Sequence, residues 1–153
     1  MKKLIDLYSY RLIGDSGPEF LLLKRSKKKI YASQWRMIGG KVKQDETYWQ
    51  AALRELNEET GLEPVTFWTV PSINQFYEAE SDTIHHIPAF AAELANDAVP
   101  TLDDEHSDWM WVSVTDISTY IHWPEQQRLF RLIHHILTDQ NQQLLPQWLI
   151  PSV

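Results

Sequence analysis

A chain of 153 residues, 43% hydrophobic and 23% charged, has the make-up of one soluble domain large enough to bury a core. Its net charge of −7 argues against general nucleic-acid binding, and no apolar run approaches the ~20 residues of a membrane span. Cysteine is absent, which excludes disulfides, thiolate metal sites and a cysteine nucleophile.

The opening carries Lys2 and Lys3, but Asp6 and Ser9 interrupt the apolar residues behind them, so no signal-peptide core forms. With no cysteine present, a cytoplasmic location is the expectation. Residues 3–13 alternate loosely and are rich in Leu, Ile and Tyr, the pattern of a strand. The turn signal Gly14-Asp15-Ser16-Gly17-Pro18 leads into a second strand-like run at residues 20–24, and the pair predicts a hairpin. Eight of the 14 Lys and Arg residues then crowd together: Lys24, Arg25, Lys27, Lys28, Lys29, Arg36, Lys41 and Lys43. Such a neighbourhood suits a small anion bound locally, or a solvated lysine-rich loop. Residues 31–42 are mixed, and Gly39-Gly40 marks a sharp bend or a close approach of backbone.

A helix is predicted over residues 47–60, with Thr47 and Gln50 spaced as a capping box and Gly61 as its stop. Strand-like runs at residues 65–77 and 83–94 flank a polar segment, and a short apolar strand is predicted at residues 109–112. Pro124 opens a helix whose apolar face is Leu129, Phe130, Leu132, Ile133, Ile136 and Leu137. The tail, residues 141–153, holds apolar residues and two prolines, and its docking is left open. With no repeat, low-complexity tract or linker, residues 1–153 read as one mixed α/β domain.

The helix at 47–60 is the informative element. Trp49, Ala52, Leu53, Leu56 and Thr60 share one face, and Glu55, Glu58 and Glu59 form a stripe beside it at i, i+3 and i+4. Like charges at that spacing repel, and the stripe lies in the last turns, where the helix dipole favours cations. A solvated acidic helix end is the plain reading. A divalent cation would reverse the local electrostatics, and oxygen-only ligands suit a hard ion such as Mg²⁺ or Mn²⁺.

Gly40, Glu46, Arg54-Glu55-Leu56, Glu58-Glu59 and Gly61-Leu62 fill nine fixed positions across 23 residues. This pattern matches the Nudix box, and the order of elements around it resembles the Nudix α/β/α sandwich with a mixed sheet. The resemblance implies a Mg²⁺-dependent hydrolase that cuts a phosphoanhydride bond in a nucleoside-polyphosphate-like substrate. It implies Glu55, Glu58 and Glu59 as metal ligands, joined by a backbone carbonyl of Gly39 or Gly40. Glu55 or a more distant glutamate would be the general base. Glu46 and Arg54 would pair to hold the loop against the helix. The chain departs from common members at Met37-Ile38, where many carry a proline before the glycines, and at Gln44-Asp45-Glu46, which replaces a frequent Glu-Gly-Glu.

A second resemblance lies in Asp104-Glu105-His106-Ser107-Asp108-Trp109-Met110-Trp111. It is similar to a segment of some Nudix pyrophosphohydrolases, including dihydroneopterin triphosphate pyrophosphatases, where a Glu-His pair precedes a tryptophan-bearing strand. This implies Glu105 as a further metal ligand and makes Glu55, Glu58 and Glu105 the catalytic candidates. Otherwise Glu105 is one more charge in an acidic loop. His106 reads as a loop or hydrogen-bonding histidine. The run at residues 20–25 resembles the family's second strand, which implies Arg25 as a phosphate contact, with Lys41 a second basic candidate. Trp35, Phe76, Tyr77 and Trp109 are candidates to stack on a substrate ring, although an aromatic in a chain with seven tryptophans is more often core.

For the substrate, the Glu-His-to-Trp segment implies a nucleoside or pterin triphosphate, cut to monophosphate and pyrophosphate. Tyr77, 16 residues past Gly61, resembles a marker of dinucleoside polyphosphate hydrolases, the runner-up. A Nudix domain that senses nucleotide without cutting it is disfavoured, because such domains usually lose box glutamates. The implied partner is a small-molecule polyphosphate, with no nucleic acid and no membrane.

Overall fold

The alternation in the first strand sets up a sheet with two buried faces. In a computed structural model, which describes residues 2–28, 32–139 and 143–151, β1 spans Leu4–Leu12. It sends Ile5 and Leu7 to one face and Tyr8 and Tyr10 to the other. Lys29 of the basic run, Tyr31 at the head of the mixed segment, and residues 141–142 and 152–153 of the tail lie outside the described residues. Next come β2 (Pro18–Arg25), β3 (Trp35–Arg36), β4 (Ile38–Lys41), α1 (Tyr48–Thr60), β5 (Thr66–Glu78), β6 (Thr83–Glu93) and β7 (His106–Val112). A short α2 (Ile117–Tyr120) precedes α3 (Pro124–Thr138).

The strands form one mixed sheet in the order β3-β2-β1-β6-β5, with β4 on β1 and β7 on β2. β1 and β6 run parallel, and every other pairing is antiparallel. β6 lies along one edge of β1, so β4 and β2 divide the other: β4 pairs Leu4–Leu7 and β2 pairs Tyr10–Leu12. Two cores result. Ala51, Ala52 and Leu56 of α1 cover Ile5, Leu7, Leu21, Leu23 and Ile38. Leu129, Phe130 and Ile133 of α3 cover Tyr8, Tyr10, Phe20 and Leu22. Phe130 anchors that second layer, meeting the rings of Tyr8 at 4.7 Å and Phe20 at 5.0 Å edge to face. The α/β/α sandwich expected from the sequence is therefore present.

The departures from expectation have physical causes. β7 begins at His106 because its polar residues pair with the end of β2, as Lys24 with Asp108 and Arg25 with His106. A ladder partner overrides local polarity. The mixed segment resolves into β3 and β4, with Met37 buried between them. The tail does dock: Ile150 N–H donates to the Phe67 carbonyl at 2.9 Å, and Trp148 stacks on Trp68. Among the described residues no helix is long and apolar enough to cross a membrane.

Candidate active site

The glutamate stripe stands on a helix fixed at both ends. Thr47 Oγ1 accepts the Gln50 N–H while Gln50 Oε1 accepts the Thr47 N–H, the capping box anticipated from sequence. At the other end Gly61 takes φ 71°, a left-handed conformation that favours glycine, and donates to the Asn57 carbonyl at 2.8 Å. No basic residue lies in the last turn, where Glu58 and Glu59 meet the negative end of the helix dipole.

Arg54 supplies the nearest positive charge. Its Nε and Nη2 grip both Glu46 oxygens at 2.7 and 3.0 Å, and Nη2 also donates to the Lys41 carbonyl at 2.8 Å. Its Nη1 reaches Glu55 at 2.8 Å and Glu58 at 3.2 Å. The Glu46–Arg54 clamp joining loop to helix is thus formed, and the guanidinium pulls the Glu46 carboxyl down to about 2. Lys41 lends its carbonyl to this clamp, and it lines a cleft of ≈ 390 Å³ with Lys2, Lys3 and Lys43.

Gly40 explains how Glu55 is seated. A Cβ on Gly40 would fall 2.8 Å from Glu55 Cγ and closer still to the carboxyl, so only glycine lets this side chain lie against β4. Glycine serves here for close approach, and no bend is involved. Gly39, the other candidate for a ligand carbonyl, pairs with Asp6 in the ladder.

Glu59 is the most constrained carboxylate. It is 4% exposed, its Oε1 lies 3.3 Å from His106 Nε2, and its Oε2 is buried with no hydrogen-bond partner. Burial, followed by the negative charges of Glu55, Asp103 and Glu105, pushes its carboxyl up to about 10. His106 is buried, with Nδ1 2.8 Å from Asp103 Oδ1, so it is the hydrogen-bonding histidine expected. Asp103, an acceptor, takes the Nδ1 hydrogen and turns Nε2 toward Glu59. Asp103 is signalled in the sequence only by its Asp-x-x-His spacing to His106 at the start of β7.

The other expected residues divide into near and far. Glu105 sits just ahead of β7, 43% exposed on its side chain, with Oε2 3.9 Å from the Arg25 guanidinium. Its carbonyl accepts the Ser26 N–H, and its charge acts on Glu59. Arg25 and Glu105 therefore flank the glutamates from the β2–β7 junction. Trp35 belongs to the α3 side, edge-on to Tyr120 at 6.2 Å. Tyr77 stands apart at the outer end of the β5–β6 hairpin, beyond the last β6 residue that pairs with β1, and donates its hydroxyl to Asp82 at 2.7 Å.

A buried oxygen without a donor, surrounded by like charges, fits a cation better than any arrangement of protein groups around it. The ligand types fit a hard divalent ion. Among the described residues no three His, Asp or Glu side chains converge closely enough to enclose one ion as they stand. The cause is visible: Arg54 holds Glu55 and Glu58, while His106 holds Glu59.

A loop-helix-loop carrying this glutamate stripe on an α/β/α sandwich defines a class, and the comparisons agree with it. The Nudix domain model matches residues 9–133, so the chain belongs to the Nudix family, hydrolases of phosphoanhydride bonds. It is 31% identical over 124 residues to the oxidized purine nucleoside triphosphate hydrolase of Mus musculus, covering 81% of this chain and 78% of that protein. The Ap4A hydrolase of C. elegans, solved as a binary complex, superposes with a TM-score of 0.69 at 26% identity, covering 86% of this chain and 95% of that one. The dihydroneopterin triphosphate pyrophosphohydrolase of E. coli shares the fold with a TM-score of 0.68 at 18% identity, over 85% of this chain and 94% of that one. Family members generally use divalent metal ions.

Proposed function

We propose that this protein is a Mg²⁺-dependent pyrophosphohydrolase that cuts a nucleoside or pterin triphosphate to the monophosphate and pyrophosphate. The observation that carries the reading is Glu59 Oε2, buried and unpaired among carboxylates on the helix that also holds Glu55 and Glu58. Glu55, Glu58 and Glu59 would hold the ion, with Glu105 and a Gly39 carbonyl as further oxygen donors. When bound, Mg²⁺, or Mn²⁺ in its place, supplies charge neutralisation on the phosphates and acidifies the attacking water. Arg54 positions Glu55 and Glu58, and the Asp103–His106 pair fixes Glu59. Arg25, beside Glu105, meets a phosphate oxygen, and Lys41 adds positive charge near the glycines. The water's proton passes to Glu55 or Glu105, two of the three carboxylates whose charges bear on Glu59. Water's oxygen bonds to phosphorus as the bridging P–O bond breaks, and pyrophosphate departs.

A second reading, a dinucleoside polyphosphate substrate, is favoured by likeness to the C. elegans Ap4A hydrolase and by Tyr77, a residue 59% exposed at the hairpin end. One panel separates the two: nucleoside triphosphates, pterin triphosphate, Ap4A and ADP-ribose, each with and without Mg²⁺, with products identified. Monophosphate and pyrophosphate from a triphosphate, only with metal, is the expected result. Cleavage confined to Ap4A would install the second reading. Calorimetry showing no Mg²⁺ or Mn²⁺ binding, with or without nucleotide, would overturn both.

A further inference from the structure

The two glycines of β4 face opposite sides of the sheet. Gly40 opens on the α1 side against Glu55, as described. Gly39 opens on the α3 side, where its missing Cβ would come within 4 Å of only two atoms beyond its chain neighbours, the Ile5 carbonyl and Asp6 Oδ1. A side chain at Gly39 would crowd the Ile5 carbonyl at 3.2 Å, so glycine keeps this side clear, with a carboxylate at its edge.

Asp6 is a buried carboxylate that the hydrolytic chemistry does not use. It is 7% exposed on the same face as Tyr8, and its Oδ2 accepts from Asn74 Nδ2 at 3.0 Å and from the Tyr8 hydroxyl at 3.5 Å. The carboxylate settles which way the Asn74 amide points, because only Nδ2 can donate to it. Asn74 Oδ1 is thereby turned away from Asp6, and it is buried, on a residue 2% exposed, with no hydrogen-bond partner. Such an acceptor is completed by a donor from outside the chain, water in the free protein and an N–H of a ligand once one is bound. Two residues along the same strand, Phe76 packs edge-on at 5.1 Å to Trp123, an indole 44% exposed at the head of α3. Phe76 also stacks on His85 at 4.8 Å, so an aromatic cluster follows the unpaired acceptor along β5.

We infer that Asn74, oriented by Asp6, is a specificity-determining residue that accepts a hydrogen bond from the exocyclic amino group of the substrate's heterocycle, held over Gly39 on the α3 side. The inference rests on the proposed triphosphate hydrolysis, with the phosphates lying against α1 on the far side of the Gly39-Gly40 strand. An amino-bearing ring satisfies Oδ1, whereas a ring with nothing to donate leaves it unpaired. Discrimination built on a buried polar group is steeper than a hydrophobic pocket can supply.

The test compares kcat/KM within matched pairs that differ by one amino group: guanosine against inosine triphosphate, cytidine against pyrimidin-2-one riboside triphosphate, and adenosine against purine riboside triphosphate. The ratio does not depend on the folded fraction of a preparation, so an unstable variant remains informative. Wild type is expected to favour the amino-bearing member of at least one pair by about tenfold or more, the scale of one buried acceptor left unpaired. Asn74→Leu collapses that ratio toward one. Asp6→Asn, which lets the amide turn over, lowers it in the same direction. A wild-type ratio near one in all three pairs, or an unchanged ratio in both variants, overturns the assignment. Loss of activity equal for both members of a pair would show Asp6 and Asn74 to be packing residues and overturns it too. A wild type that cuts none of the six nucleotides would instead count against the hydrolysis reading. Calorimetry of the same pairs in Ca²⁺ would then decide the Asn74 assignment by binding, and absence of any preference there sinks it.

Discussion

Glu59 is where residue-level electrostatics and function meet. In the unfolded chain its carboxyl ionises near the ordinary value of 4.5, while in the metal-free fold it holds its proton up to about 10. Between those values the unfolded state has released a proton that the native state keeps, so this group makes the fold less stable as pH rises. Glu59→Gln removes the penalty. Melting in EDTA should therefore show an advantage of the Gln variant over wild type that grows from mildly acid to mildly alkaline pH. Magnesium must displace that same proton, so its stabilisation of wild type should grow with pH and vanish in the variant. The variant should also lose about 100-fold or more in kcat, since several kcal/mol of transition-state charge stabilisation go with the ligand. Near-normal turnover in Glu59→Gln would refute its assignment as a ligand. The Glu55, Glu58 and Glu59 stripe was legible because i, i+3 and i+4 is a local relation on a helix. The Asp6–Asn74 pair was not, because its members are 68 positions apart and only the fold brings them together.

Among the elements, α1 carries the site and its ends can be tested apart from its chemistry. Thr47 lies eight residues before Glu55, about 12 Å along the axis. Thr47→Ala removes the side-chain half of the capping box and should cost about 1 kcal/mol, or roughly 2–4 °C in melting temperature. Turnover measured well below that temperature should stay near wild type, because the clamp from Glu46 to Arg54 still fixes the catalytic half. A large loss of kcat at unchanged stability would mean that the start of the helix takes part in the reaction. The cap, the Gly61 stop and the Pro124 start were legible because each is set by residues a few positions apart. α2 was not: it is four residues long and buries only Ile117, too little for a periodicity to register.

At the scale of the whole molecule, the sheet has a vulnerable edge at β5, and the tail covers it. Trp148 joins the core on the α3 side and Ile150 the core on the α1 side, so a few residues straddle the edge strand and close both layers. The sequence could not decide this docking, since Trp148 and Ile150 find partners at Trp68 and Phe67, some eighty positions earlier. Trp148 stacks on Trp68 with ring centroids 6.2 Å apart, yet Trp148 is itself only half-buried. Its removal should therefore cost less than the 3–5 kcal/mol of a fully buried Trp→Ala, about 1.5–3 kcal/mol. Trp148→Ala should accordingly melt several degrees lower, at roughly 2–4 °C per kcal/mol. The glutamates lie on α1 and the tail contacts β5, so kcat/KM measured below the transition should be unchanged. If kcat/KM fell while melting held, the tail would be acting on the site rather than sealing the sheet.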